Sequence, residues 1–182
     1  QSILQNQIED MGTHFFREGA KIIPGQLNYL PKFYGIQIDT EFLGIPVNLY
    51  LDQLVGKKIT GATSGVTAKV VTYITDKESE RGVCTLYVDY YESSSSNNSS
   101  QTFSDSEILL TTDNITFAST FIASGEGFAR SLTQNSNVVG SAFALGAGVY
   151  FLRGFFVDVE DQILILDQYD NKPNYRVGLN VT

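Results

Sequence analysis

Tryptophan is absent from this 182-residue chain, and histidine, cysteine and methionine occur once each. A single cysteine, Cys84, excludes an intrachain disulfide and fits assembly in a reducing compartment. One His and one Cys cannot make a zinc site, which draws four ligands from Cys, His and carboxylates. Basic residues are also scarce: 12 Lys and Arg stand against 20 Asp and Glu, giving a net charge of -8 and a pI near 4.5. That balance argues against a nucleic-acid partner, whose phosphates are bound largely by Lys and Arg, and serves solubility instead. No run of about 18 apolar residues exists, so no transmembrane helix or membrane insertion is predicted. No signal peptide is read at its start, as expected also of a mature or trimmed chain. The lack of a first Met and the strand-like end Leu179-Asn180-Val181-Thr182 lead to the expectation of a piece of a longer protein.

What is present is globular: 42% hydrophobic and 18% charged residues, enough for one core, or one core with a small satellite. Leu4, Ile8, Met11 and Phe15 recur at steps of four, three and four, one stripe of an amphipathic helix. The helix is predicted to close near Gly19, with Arg17 placed well for its dipole. Beyond it the pattern is β. Pro24-Gly25, Pro31, Gly35, Gly44 and Pro46 punctuate short apolar runs. Thr67 to Ile74 reads as a strand, Asp76 to Gly82 as a charged turn, and Cys84 to Tyr90 as a half-buried strand. Ser93 to Ser100 is a Ser/Asn-rich polar loop. Val138 to Leu145 follows as a strand, and Val149, Phe151, Phe155, Val157 and Val159 fall on one face of another. Ile163, Leu164, Ile165 and Leu166 form a run apolar on both faces, which needs cover from its own domain or from a neighbouring subunit. Tyr175, Val177, Leu179 and Val181 alternate as a last strand.

The fold expected is mainly β: an N-terminal oligomerisation helix over 1–19, then an antiparallel β-domain over 20–50 and 118–182. A small β-barrel or sandwich over 51–117, carrying the 93–100 loop, is inserted in that domain.

Chemistry is thin. Gly61 to Gly65 does not make a phosphate loop, since Val66 stands where the second glycine belongs and Thr67 where the lysine does. It fails as a nucleophile elbow too, with Thr63 at the serine position and no later histidine. A tight turn between strands is the better reading. Gly146-Ala147-Gly148 lacks the third glycine of a dinucleotide site. His14 reads as a helix-surface or interface residue and Cys84 as a small buried hydrophobe. Asp76, Glu78 and Glu80 alternate with Lys77 and Ser79, a mixture of signs that favours a solvated loop over a calcium site. Asp158, Glu160 and Asp161 mark a turn before the Ile163 run, although paired carboxylates also serve glycosidases. The sequons at Asn97, Asn98, Asn114 and Asn180 mean little without secretion. Ten Tyr and twelve Phe suit a β-core, or a sugar-stacking surface. No catalytic, cofactor-binding or metal-binding residue is assigned.

Ser2 to Gly25, SILQNQIEDMGTHFFREGAKIIPG, and Gly148 to Val181, GVYFLRGFFVDVEDQILILDQYDNKPNYRVGLNV, resemble the two ends of a domain of unknown function in bacteriophage virion proteins. The resemblance is strongest to structural proteins of tailed cyanophages. It implies a non-enzymatic role in the virion tail, as a baseplate component, a tail fibre or a fibre adaptor, assembled in the host cytoplasm. Many tail proteins are trimers, and the seam of Leu4, Ile8, Met11 and Phe15 suits a parallel bundle in a homotrimer. The alternative is a helix lying against its own β-domain. The implied partners are further copies of the chain and other tail or baseplate proteins. A host-attachment module binding surface glycan is the second functional reading, and a polysaccharide-degrading tail enzyme using Asp158 or Glu160 is the third.

Overall fold

The computed structural model describes residues 20–23, 27–93, 100–118, 120–152, 155–170, 172 and 174. The predicted helix with Leu4, Ile8, Met11 and Phe15, most of the Ser/Asn loop, and the predicted strand from Tyr175 lie outside the described residues.

Within them the chain is β-structure joined by turns, with no α-helix. The strands are β1 (Ala20–Ile23), β2 (Leu27–Ile38), β3 (Glu41–Phe42), β4 (Ile45–Pro46), β5 (Lys58–Gly61), β6 (Thr67–Ile74), β7 (Cys84–Glu92) and β8 (Ile108–Thr111). They continue as β9 (Ile115–Phe117), β10 (Thr120–Ile122), β11 (Gly127–Arg130), β12 (Asn137–Leu145), β13 (Gly148–Leu152), β14 (Phe155–Val159) and β15 (Gln162–Asp167). Two short 3-10 turns, Val47–Leu49 and Leu51–Leu54, lie between β4 and β5. Eight strands share one sheet in the order β11-β8-β5-β6-β7-β2-β12-β15, and β1-β13-β14 make a second. Strands β5 to β8, from the block expected as an insertion, pair in the same sheet as β2 and β11.

The described residues fall into two compact units, one drawn from Gln1–Leu30 and Ala142–Leu166, the other from Pro31–Ser141 and Asp167–Thr182. The larger unit holds the main core. Alternation places Ile36 and Ile38 of β2, Ala68 and Val70 of β6, and Cys84, Leu86 and Val88 of β7 on one side of the sheet, with Ile59, Leu109 and Phe128 beside them. Tyr50, Leu51 and Leu54 from the 3-10 turns complete that cluster. The Tyr50 hydroxyl donates to the Phe128 carbonyl at 2.6 Å, so its one polar atom is satisfied in the interior. The sheet curls far enough that Ile38 bridges Ser131, with Asp39 N–H donating to Arg130 O at 2.9 Å and Leu132 N–H to Gln37 O at 3.0 Å. That single bridge joins the end of β2 to the residue that follows β11, short of a closed barrel.

Two sequence expectations are corrected. Cys84 to Val88 is buried at every residue instead of alternating, and only from Asp89 does β7 meet solvent. The reason is its central position between β6 and β2: Cys84, Leu86 and Val88 enter the core, while Tyr87 stacks on Phe33 with ring centroids 4.7 Å apart and donates to Gln168 O at 2.9 Å. The stretch from Val149 to Val159, expected as one strand, is a hairpin. Val149 lies opposite Asp158, and Gly148 opposite Val159. Directly opposed residues share a face, so Val149 shares one with Asp158, while Val157 and Val159 occupy the other.

Candidate assembly surface

Glu107 is buried, and its carboxylate faces the Gly61–Gly65 turn. Oε1 accepts from Thr63 N–H at 2.7 Å and from Ser64 N–H; Oε2 accepts from Ser64 Oγ at 2.9 Å and Ser104 N–H at 2.9 Å. A glycine-rich turn with inward amides can receive an anion. Here the anion is the protein's own side chain. The sequence reading of this segment as a structural turn is therefore matched, but the carboxylate that fastens it was not foreseen.

Asp105 does similar work nearby, accepting from Ser136 Oγ at 2.5 Å, Ser136 N–H at 2.9 Å and Asn135 N–H at 3.2 Å. The Ser136 hydroxyl, then the Ser136 amide, holds the Asp105 carboxyl below its ordinary value of 3.8. In the 76–82 turn, Glu78 accepts from Thr75 N–H at 3.0 Å and Thr75 Oγ1 at 2.9 Å, which lowers its pKa. Cys84 is fully buried and its thiol is pushed up by burial, as expected of an inert core residue. Asp158 and Glu160 are exposed, whereas Asp161 accepts the Ala147 N–H and so closes the turn between β12 and β13. Among the described residues no three His, Cys, Asp or Glu side chains gather as a metal site would need. No described helix is long and apolar enough to cross a membrane.

The remaining feature is apolar. In the smaller unit, Phe155 is 73% exposed, Phe156 61%, Ile163 41% and Leu164 52%. Ile165 and Leu166 are half-buried. The predicted doubly apolar run thus forms β15, and its first half reaches solvent in a single chain. Among the described residues both strands stand last in their sheets, β14 in the order β1-β13-β14 and β15 in the eight-stranded order. Large exposed apolar side chains are what association would cover.

Compared with known protein families, with curated proteins and with solved structures, the chain finds no match.

Proposed function

We propose that this chain is a structural component of a tailed-phage virion, part of a baseplate, tail fibre or fibre adaptor, which acts by assembling with copies of itself and with other tail proteins. The observation that carries the reading is the exposure of Phe155, Phe156, Ile163 and Leu164 on β14 and β15. Side chains that keep 41–73% of their surface in water forgo part of the about 1.5–3 kcal/mol that full burial of each would contribute, and association recovers some of it. The resemblance of residues 2–25 and 148–181 to cyanophage virion proteins supplies the biological setting, and the second of those stretches contains the exposed strands. A homotrimer joined through β14 and β15, and through the seam of Leu4, Ile8, Met11 and Phe15, is the expected assembly.

Light scattering on the purified chain, combined with native mass spectrometry, tests it. Three copies are expected for the wild type, and a shift toward one copy for Ile163→Asp combined with Phe155→Ser. A strict monomer at micromolar concentration would overturn the self-assembly. Mass spectrometry of purified phage particles should find the chain in the tail fraction, and its absence there would overturn the virion assignment.

A further inference from the structure

Phe155 and Phe156 follow one another along β14, and successive residues of a strand lie on opposite faces of its sheet. The pairing with β13 keeps that alternation without a bulge: Phe155 is in register with Leu152, Phe156 with Phe151, Val157 with Tyr150 and Asp158 with Val149. One face of β14 therefore carries Phe155 and Val157, and the other Phe156 and Asp158. Ala20 of β1 is in register with Phe151, so the row of Phe156 crosses all three strands. Phe155 and Phe156 are both exposed, so a large aromatic ring meets water on each side of a single sheet layer.

Association that covers both rings is restricted by their placement. A contact between two copies related by a two-fold axis matches a patch with itself. Two Phe155 faces laid together leave Phe156 in water. Two Phe156 faces laid together leave Phe155 there, and they bring the exposed Asp158 carboxylates of both copies into one apolar contact, where like charges repel. A contact that sets the Phe155 face of one copy against the Phe156 face of the next covers both rings with a single kind of joint. Such head-to-tail joints close into a ring when the rotation between copies divides a full turn. Around a threefold axis, three copies of β14 bound three wedges, and each wedge receives Phe155 from one copy and Phe156 from its neighbour.

We propose that copies of this chain join head to tail through β14, with Phe155 of each copy against Phe156 of the next, in a closed ring of three. This rests on the self-assembly reading above and adds which face meets which. Further copies fit the site better than a foreign protein with one binding face, which would cover one ring and leave the other in water. Paired aromatic rings also contribute beyond the area they bury when they meet offset or edge to face.

Mixing two variants tests it. Phe155→Ser keeps the Phe156 face and Phe156→Ser keeps the Phe155 face, so either variant alone has a ring missing from every joint, whereas a mixture of the two can build one joint with both rings. Native mass spectrometry of the full chain, with one variant isotopically labelled, should find three copies for the wild type and association about tenfold weaker for each variant alone. The equimolar mixture should give a mixed pair, bound about tenfold more tightly than either variant binds itself. Far-UV circular dichroism of both variants, diluted, should match the wild type. A second measurement keeps the aromatic ring: p-benzoylphenylalanine at position 155 should link on illumination to Phe156 or Asp158 of another copy. If the wild type associates but only one variant is weakened, if no mixed pair forms, if the wild type stops at two copies, or if position 155 links to its own equivalent, to Val157 or to nothing, the head-to-tail joint is overturned while self-assembly stands. A wild type that is a monomer at every concentration overturns both.

Discussion

At the scale of single residues, the carboxylates of this chain act on backbone. Glu107 accepts four hydrogen bonds, three of them from main-chain amides at Thr63, Ser64 and Ser104. Replacing it with Ala strands those donors in a buried place, and a buried unsatisfied group costs about 1–3 kcal/mol. Glu107→Ala is expected to destabilise the chain by about 3 kcal/mol in urea denaturation, and Glu107→Gln by less, because the amide oxygen still accepts. Asp105 gives a pH-dependent counterpart. Its folded-state pKa lies below the unfolded value, so its contribution is present above the unfolded pKa and is lost as pH falls through the folded one. Melting temperature should fall on acidification below about pH 4, and more shallowly in Asp105→Asn, which has no charge to lose at that site.

Elements meet where a side chain has no room. An added Cβ at Gly140 of β12 would sit 2.5 Å from Asp167 O and 2.7 Å from Gln168 O, backbone atoms that cannot swing aside. Those residues belong to a segment fastened from several sides: Glu80 N–H donates to Gln168 Oε1 at 2.9 Å, Ser79 Oγ lies 2.6 Å from Tyr169 OH, and the Arg81 guanidinium stands 3.9 Å over the Tyr169 ring. Gly140→Ala is expected to cost about 1–3 kcal/mol by overpacking, read as a lower urea midpoint. The β3–β4 hairpin gives the opposite sign. At its tip Leu43 has a φ of 53°, so Leu43→Asn suits the left-handed turn and should raise stability by about 0.5–1 kcal/mol. Strands such as β6 and β12 were legible because their apolar residues run at a strand's period and end at turn residues. The break between β13 and β14 was hidden, since Val149, Val157 and Val159 keep an even spacing through it and the reversal shows only in pairing. The burial of Thr85 and Tyr87 was hidden for a related reason: what covers the outer face of β7 comes from Phe33 and Gln168, far away in sequence. For the candidate surface, the apolar run Ile163 to Leu166 could be read directly, but its exposure could not. Glu107 gave no signal, because a lone carboxylate does not reveal which distant turn it will meet. Leu43 lacked the Asn-Gly signature that identifies such a hairpin in a sequence.

For the molecule as a whole, a buried core and exposed apolar side chains predict two different responses to protein concentration. Phe128 is fully buried beneath Tyr50, whose hydroxyl binds its carbonyl, inside a cluster that spans β2, β5, β6, β7, β8 and β11. Removing that ring leaves a cavity within one chain, so Phe128→Ala should lower stability by about 3–5 kcal/mol at every concentration. Phe155, 73% exposed, acts otherwise, because a side chain mostly in water contributes little until another chain covers it. Association that favours the folded state raises the melting temperature with protein concentration by mass action. The wild-type midpoint is therefore expected to rise with concentration across a hundredfold series in calorimetry, and Phe155→Ser should flatten that slope while leaving the dilute-limit midpoint close to that of the wild type. A wild-type midpoint independent of concentration would remove the energetic basis for self-assembly through β14 and β15. A drop at the dilute limit in Phe155→Ser would instead show that the ring packs within a single chain.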